Sequence, residues 1–565
     1  MKQLIRLALI TILSCASDPA RGAEIKPTFN RDIAPVLFSN CVVCHHPGGI
    51  GPFSLTDYKE AKKHAKMIAR VTASHYMPPW LPEPGHGEFI GERRLTDEQI
   101  ALIARWVKAD QPEGSAKDLK VKPEWNDDWQ LGKPDLVVTM PEVYTLPAEG
   151  PDIYRNFVIP NVVPANRYVS AIEMRPGNAA VVHHVFLFTD PTGAARSLDG
   201  KEAEPGFPGM QAGRGATKPM GTLMSWQPGK RAQKQAEDMS WQLKKCTDFI
   251  LQYHMRPRGK PEKIQGSVAL YFTDRPPTRV PYVMLLRAPE IDIPAGTNDY
   301  SITSSYKLPV DVDVLACWPH MHYLGKTATG WAELPNGSKK ELIEILRWDF
   351  NWQGDYQFKT PVFLPEGTVL KMRLTFDNSA QNPHNPNHPP IRVQYGKQST
   401  DEMGEFWLQV LPRGQSEMKK LVDDYAKNWA LPDSLALYKT ILAREPQDAE
   451  SRTSFATALY ASGKTSEAIT ELKQAIRDNP KLPRSHYVLG NIYAHQNDRQ
   501  GAITELAATV ELDPNNSDAH SDYGWYLLVD GQTDKAIEQI EMALHLNPGD
   551  DLARANLVKA RSMKK

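Results

Sequence analysis

Proline recurs every 34 residues near the end of the chain, at Pro446, Pro480, Pro514 and Pro548. Two further sets keep the same step: Ala468, Ala502 and Ala536, and Ala456, Gly490 and Gly524. A fixed period of this length marks a unit that cannot bury its apolar face alone and must stack on its neighbours. Proline ends each unit because it cannot continue a helix, and the small residues let paired helices approach. Full units are expected over 449–482, 483–516 and 517–550, with a half unit at Leu435–Ala443 and a capping helix over Asp551–Lys565.

The pattern resembles tetratricopeptide repeats, and residues 430–565 are assigned to such an array. The resemblance implies an α-solenoid whose concave face binds a protein partner. The rest of the chain reads differently. Most of its 46 prolines precede residue 400, which suits loop-rich β domains. A net charge of −1 gives no electrostatic case for nucleic acid or an anionic membrane surface.

The N-terminus reads as an export signal over residues 1–22: a basic start, Met1 to Arg6, an apolar run from Leu7 to Leu13, and the small-x-small site Ala20-Arg21-Gly22. Ile12-Leu13-Ser14-Cys15 also resembles a lipoprotein box, in which Cys15 would carry a lipid anchor. Both readings place the mature protein outside the cytoplasm, in the periplasm or beyond. In such a compartment Cys246 and Cys317 could bridge or remain as buried thiols.

Cys41-Val42-Val43-Cys44-His45 is a C-x-x-C-H motif. Two thiols at this spacing can add to the two vinyl groups of one haem while the adjacent His ligates the iron. No second Cys pair completes a zinc site. Helical spacing of Ile33, Val36 and Leu37 precedes the motif, and Thr96 caps an amphipathic helix through Ile100, Ile103, Trp106 and Val107. Residues 24–115 resemble a small all-α cytochrome c domain. That resemblance implies a second axial ligand, assigned to Met77 in Tyr76-Met77-Pro78-Pro79-Trp80, with His75 as the rival and Met67 read as core.

From Trp129 to Leu411, short apolar runs such as Val181–Phe188, Val268–Phe272, Val280–Leu286 and Val369–Phe376 alternate with turn residues, the pattern of β-sandwiches or jelly rolls. Soft metal ligands are scattered through this region: His183, His184, His254, His320, His322 and Met403. Imidazole with thioether suits copper that passes through Cu(I). His320 and His322, two apart, share one face of a strand. His183 and His184 are neighbours, so they can share a metal only where the strand is twisted or bulged. His384 and His388 fall in an Asn/Pro-rich stretch that reads as a polar surface loop.

Val182-His183-His184-Val185, Tyr253-His254-Met255, His320-Met321-His322 and Thr400-Asp401-Glu402-Met403, in that order, resemble the copper type II, ascorbate-dependent monooxygenases, among them the peptidylglycine- and dopamine-hydroxylating enzymes. The resemblance implies two facing jelly rolls, over 129–278 and 279–412. His183, His184 and His254 would hold an electron-transfer copper. His320, His322 and Met403 would hold the copper at which oxygen reacts and so form the catalytic set. The peptide-amidating member is expected to use Arg, Asn and Tyr for its substrate carboxylate, where this chain has Trp318, Glu405 and Trp407. That argues for a more apolar or aromatic substrate.

The expectation is thus an exported monooxygenase with two coppers and one covalent haem c, acting on a small organic substrate and O2. A redox partner would feed the haem and a protein partner would dock on the repeats. The alternative is a non-catalytic electron-transfer or copper-binding scaffold assembled through the repeats.

Overall fold

A computed structural model describes residues 26–125, 128–200, 202–213, 215–219, 225–230 and 232–564. The export signal over 1–22 and the lipid-anchor candidate Cys15 lie outside the described residues. The chain divides into two units, the first drawn from Met1–Pro78 with Arg93–Trp125, the second from Pro79–Glu92 with Asn126–Lys565.

The described part of the first unit is helical. Asp57 caps Tyr58–Ala73 by accepting from the Glu60 N–H, which satisfies a donor that the first turn leaves free. Thr96 and Gln99 form a reciprocal capping box at the start of Asp97–Lys108. A third helix, Ala34–Asn40, carries Pro35 in its first turn, where a missing N–H costs nothing. Phe29, Ile33, Leu37, Val42, Leu55, Ile103 and Trp106 make one apolar core. Met67, expected in that core, is 43% exposed instead. It lies on the outer face of its helix, whose buried positions are Ala61, Ala65, Ile68 and Thr72.

Pro79–Glu92 lies inside the 24–115 stretch read as one cytochrome-like domain, yet it belongs to the second unit. The reason is Phe89, whose side chain enters an apolar core there against Tyr356 and Phe358. Phe89 bridges to Phe358 in the β manner, Ile90 N–H donates to the Gln357 carbonyl at 2.8 Å and Lys359 N–H to the Glu88 carbonyl at 2.8 Å.

The middle of the chain is β-rich, all of its strand ladders antiparallel. The first half holds a five-stranded sheet in the order Phe207–Pro208, Ile153–Ile159, Asp248–Met255, Val182–Asp190, Ser225–Trp226. A four-stranded sheet, Leu136–Thr139, Ser267–Thr273, Arg167–Arg175, Trp241–Leu243, shares its core through Phe157, Val185, Leu251, Val169, Val268 and Leu270. The second half pairs Tyr282–Arg287, Gly404–Pro412, Val312–Met321, Tyr356–Leu364 with a sheet of Tyr300–Lys307, Val369–Phe376, Gly325–Glu333, Lys339–Ile345, again around one core. Strands read from alternation agree well: Val369–Phe376 has the expected bounds. Cys246 and Cys317 are not bridged. Cys246 is exposed in the turn before Asp248–Met255, whereas Cys317 is buried within Val312–Met321.

The C-terminal helices pair as Ala449–Ala461 with Thr465–Asp478, Pro483–His495 with Arg499–Leu512, and Ser517–Val529 with Thr533–Leu546, closed by Asp551–Met563. Pro480, Pro514 and Pro548 fall in the turns between pairs. A Cβ at Gly524 would lie 2.5 Å from Ile540 Cγ1 and 3.1 Å from the Ala536 carbonyl oxygen, so the small residue sets how closely the two helices approach. Gly524→Val should therefore overpack the last pair and lower stability by about 1–3 kcal/mol, read as an earlier thermal transition of the helical signal.

Candidate metal centre

His184 on Val182–Asp190 stands directly opposite His254 on Asp248–Met255. The ladder between these strands slips by one residue between Val182 and His184, so His183 is the extra residue of a β-bulge. A regular strand would point His183 and His184 to opposite faces; the bulge re-aims one of them. One ligand atom from each of His183, His184 and His254 lies within 4.8 Å of the others. His184 Nε2 and His254 Nδ1 face each other at 3.3 Å. Burial, chiefly, holds all three imidazoles below the usual histidine value. They are therefore neutral at pH 7, the form that ligates a metal.

The orientation of His254 comes from Asp152, which the sequence reading did not single out. His254 Nε2–H donates to Asp152 Oδ2 at 2.8 Å, and Ser399 Oγ–H donates to the same oxygen at 2.8 Å. The carboxylate fixes the tautomer that leaves Nδ1 as the free lone pair. Tyr154 covers the other side of the ring, stacked at 4.2 Å.

The second group lies at the end of the paired strands Val312–Met321 and Gly404–Pro412, where His320 stands opposite Glu405 and Met321 opposite Gly404. His320 and His322 have ring centroids 5.3 Å apart at 87°. His320 Nδ1 meets Gln353 Oε1 at 2.5 Å and His322 Nδ1 meets the Asp401 carbonyl at 3.2 Å. Both contacts leave Nε2 for a metal. Burial lowers His322 to about 3. Met403 is tied to His322 by Glu402, a buried carboxylate that accepts from the backbone N–H of His322, of Leu324 at 2.9 Å and of Met403 at 3.0 Å. Burial pushes the Glu402 carboxyl up to about 8, against the pull of those three donors.

Phe350 lies between the two groups. Its ring stacks on His183 at 4.6 Å and 20° and meets His322 edge-on at 5.9 Å. Asp152 makes a second link, since Ser399 precedes the Asp401–Met403 turn by two residues. Neither Asp152, Phe350 nor Gln353 carried a sequence signal. Glu402 carried a weak one, an acid set against an apolar strand. His384 and His388 are exposed, as expected of a surface loop.

In the helical unit, Cys41 follows Ala34–Asn40 directly, and the His45 N–H bonds back to the Cys41 carbonyl at 2.9 Å. His45 Nδ1–H donates to the Phe53 carbonyl at 3.0 Å, which leaves Nε2 for an iron ion. A Cβ at Gly51 would lie 2.6 Å from His45 Nδ1, so glycine makes room for the ring. The donor set fits a covalent haem: two thiols at the attachment spacing and an oriented imidazole. Met77 is half-buried past the end of Tyr58–Ala73, its N–H donating to the Val71 carbonyl at 3.1 Å, while the rival His75 is exposed.

Comparison with known proteins identifies the repeats. A TPR repeat model matches residues 456–497 and a tetratricopeptide repeat model residues 487–551. Cellulose synthase operon protein C of Escherichia coli (strain K12) is 36% identical over 97 residues, 17% of this chain and 8% of its own length. The TPR repeat-containing thioredoxin TTL4 of Arabidopsis thaliana is 28% identical over 102 residues, 18% of this chain and 15% of its own length. The chain thus spans a small part of the curated relatives it matches. Among solved structures, the MamA protein is 24% identical, with TM-score 0.23, covering 25% of this chain and 78% of its own. YrrB, described as a TPR protein with an unusual peptide-binding site, is 21% identical, with TM-score 0.23, covering 26% and 76%. The C-terminal array is a tetratricopeptide-repeat solenoid behind an extensive β-rich region.

Asp152→Asn should weaken copper binding at the three-histidine group by about 10–100-fold, measured by competition with a chelator. The helical and β signatures in circular dichroism should stay unchanged.

Proposed function

We propose that this protein is an exported two-copper monooxygenase that hydroxylates a C–H bond of a small organic substrate, with electrons delivered through its own c-type haem. The observation that carries the reading is the convergence of His183, His184 and His254 on a bulged strand pair, one phenyl ring away from His322. The first donor set is all imidazole; the second is two imidazoles with a methionine tied to one of them through Glu402. Two unlike sets suit two unlike tasks.

Copper, when bound, supplies one-electron redox chemistry at both sets and O2 activation at the set containing Met403. Haem c, when bound at Cys41, Cys44 and His45, with Met77 proposed as the second axial ligand, supplies one electron at a time from an external redox partner. Hydroxylation consumes O2, two electrons and two protons, and yields the alcohol and water. The chain's own residues prepare this. Desolvation keeps the imidazoles neutral, so ligation need not displace a proton. Asp152, Gln353 and the Asp401 carbonyl fix which nitrogen each ring presents. Glu402 ties the backbone of His322 to that of Met403, and buried Phe350 excludes water between the groups.

A second reading has the repeats in its favour: a non-catalytic electron-transfer or copper-binding scaffold. Tetratricopeptide arrays are protein-interaction modules, and the family models match there. Among the described residues no helix is long and apolar enough to cross a membrane.

Purified protein should hold two coppers and one haem per chain and take up oxygen only with substrate. His322→Ala should abolish that uptake and leave the haem spectrum intact. One copper per chain and no uptake across a broad substrate screen would establish the scaffold instead. Separately, Met77→Ala should remove the weak absorbance of a Met–iron bond near the red end of the oxidised spectrum; an unchanged spectrum assigns the axial position to another group.

A further inference from the structure

Lys218 presents its ammonium to two aromatic rings. Its ammonium lies 4.4 Å from the centre of the Trp407 ring and 5.7 Å from that of Phe186. Among the described residues no carboxylate forms an ion pair with it. Glu405 acts on it from a distance but is engaged by the Trp407 indole N–H, which donates at 2.9 Å. Lys218 is open to solvent, while the protein around it lowers its pKa by desolvation. Aromatic faces attract an ammonium by roughly 0.5–2 kcal/mol, yet they leave its full charge available to a ligand.

The rings beside Lys218 reach both histidine groups. Phe186 packs against His184 at 4.9 Å and against Trp318 at 5.5 Å. Trp318 lies 6.1 Å from His320 and 6.2 Å from Trp407. His184, Phe186, His320 and Trp407 are each half-buried, so this surface is reached from solvent. The Trp318 indole N–H is buried and among the described residues has no acceptor, an arrangement that costs free energy until a ligand supplies one. Cation, unused N–H donor and aromatic floor together make a receptor for an acid with an apolar body.

We propose that this recess binds a small organic acid, its aromatic or aliphatic body against Phe186, Trp318 and Trp407 and its carboxylate on the Lys218 ammonium. The proposal rests on the reading that the adjacent histidines hold the reacting centre, and it names the class of substrate presented to them. It also changes what position 318 implies. The strand carrying His320 has an indole where an anchoring arginine was expected, but the chain after Val182–Asp190 brings a cation to the same recess.

Phenylacetate and 2-phenylacetamide share a body and differ in charge, so calorimetric titration of the full-length, copper-loaded protein with each tests the recess. The acid should bind at least about tenfold more tightly than the amide. Lys218→Met should remove that preference without weakening the amide, and Lys218→Arg should keep it. Equal binding of the two probes, binding of neither, or an acid preference that survives Lys218→Met overturns the proposal, the last because it places the carboxylate on a metal. Copper content of the same samples separates the two readings. A preference that depends on Lys218 in protein holding fewer than two coppers supports the recess and removes the oxygenase; two coppers with no preference removes the recess alone.

Discussion

A single-residue slip between two strands governs the rest of the site. Val182 pairs with Met255 and His184 with His254, and His183 is left over. Were the ladder regular, only one of the two neighbouring histidines could face His254, and the other would enter the core with Val185 and Leu187. The bulge gives up ladder regularity and brings together three imidazoles, those of His183 and His254 buried and that of His184 half-buried. That environment holds them unprotonated, so the same burial that disfavours charge prepares the rings for a cation. A metal there would replace solvation that the protein has already removed, and Asp152 fixes the orientation of one of the rings that would hold it.

Asp152 has a second consequence through Ser399. One carboxylate oxygen accepts from His254 in the first β half and from Ser399 in the second. Lys230 pairs with Asp355 at 2.7 Å and the Arg256 guanidinium lies 5.6 Å from the centre of the Tyr323 ring, so further contacts join the two halves. With Phe350 touching His183 and His322, the two ligand groups are separated by protein and not by a wide solvent gap.

Much of this organisation was legible in the residues. The 34-residue period located each helix pair, because a proline in a turn and a small residue at a helix crossing are local requirements. Strands such as Val369–Phe376 were legible for a similar reason: alternation is a local consequence of one buried face. The candidate ligands stood out only as an ordered set, and the structure gathers His183, His184 and His254. The bulge at His183 could be stated as a requirement but not located, since slippage depends on the partner strand. Asp152, Phe350, Gln353 and Lys218 left no mark, because each acts on residues dozens of positions or more away and none belongs to a spaced motif. Pro79–Glu92 was misassigned because sequence proximity to the haem motif says nothing about which core Phe89 enters. Cys246 and Cys317 show the same limit, since a shared compartment does not bring two thiols together.

The repeat array is joined to the second β half by packing and not by a loose tether. Helices Gln415–Tyr425 and Leu431–Arg444 precede the first full repeat, and Leu421, Tyr425 and Leu437 are buried in the same core as Met284, Leu286 and Phe406. The Tyr425 hydroxyl bonds both backbone groups of Leu285, at 2.7 Å and 2.9 Å, and Arg287 forms an ion pair with Asp433 at 2.5 Å. Such a pair is costly to bury and costly to break, so it fixes an arrangement more than it stabilises one. Arg287 stands opposite Glu405 in the ladder, two positions from Met403. The helices that lead into the repeats are therefore packed against the sheet whose strand Gly404–Pro412 directly follows Met403.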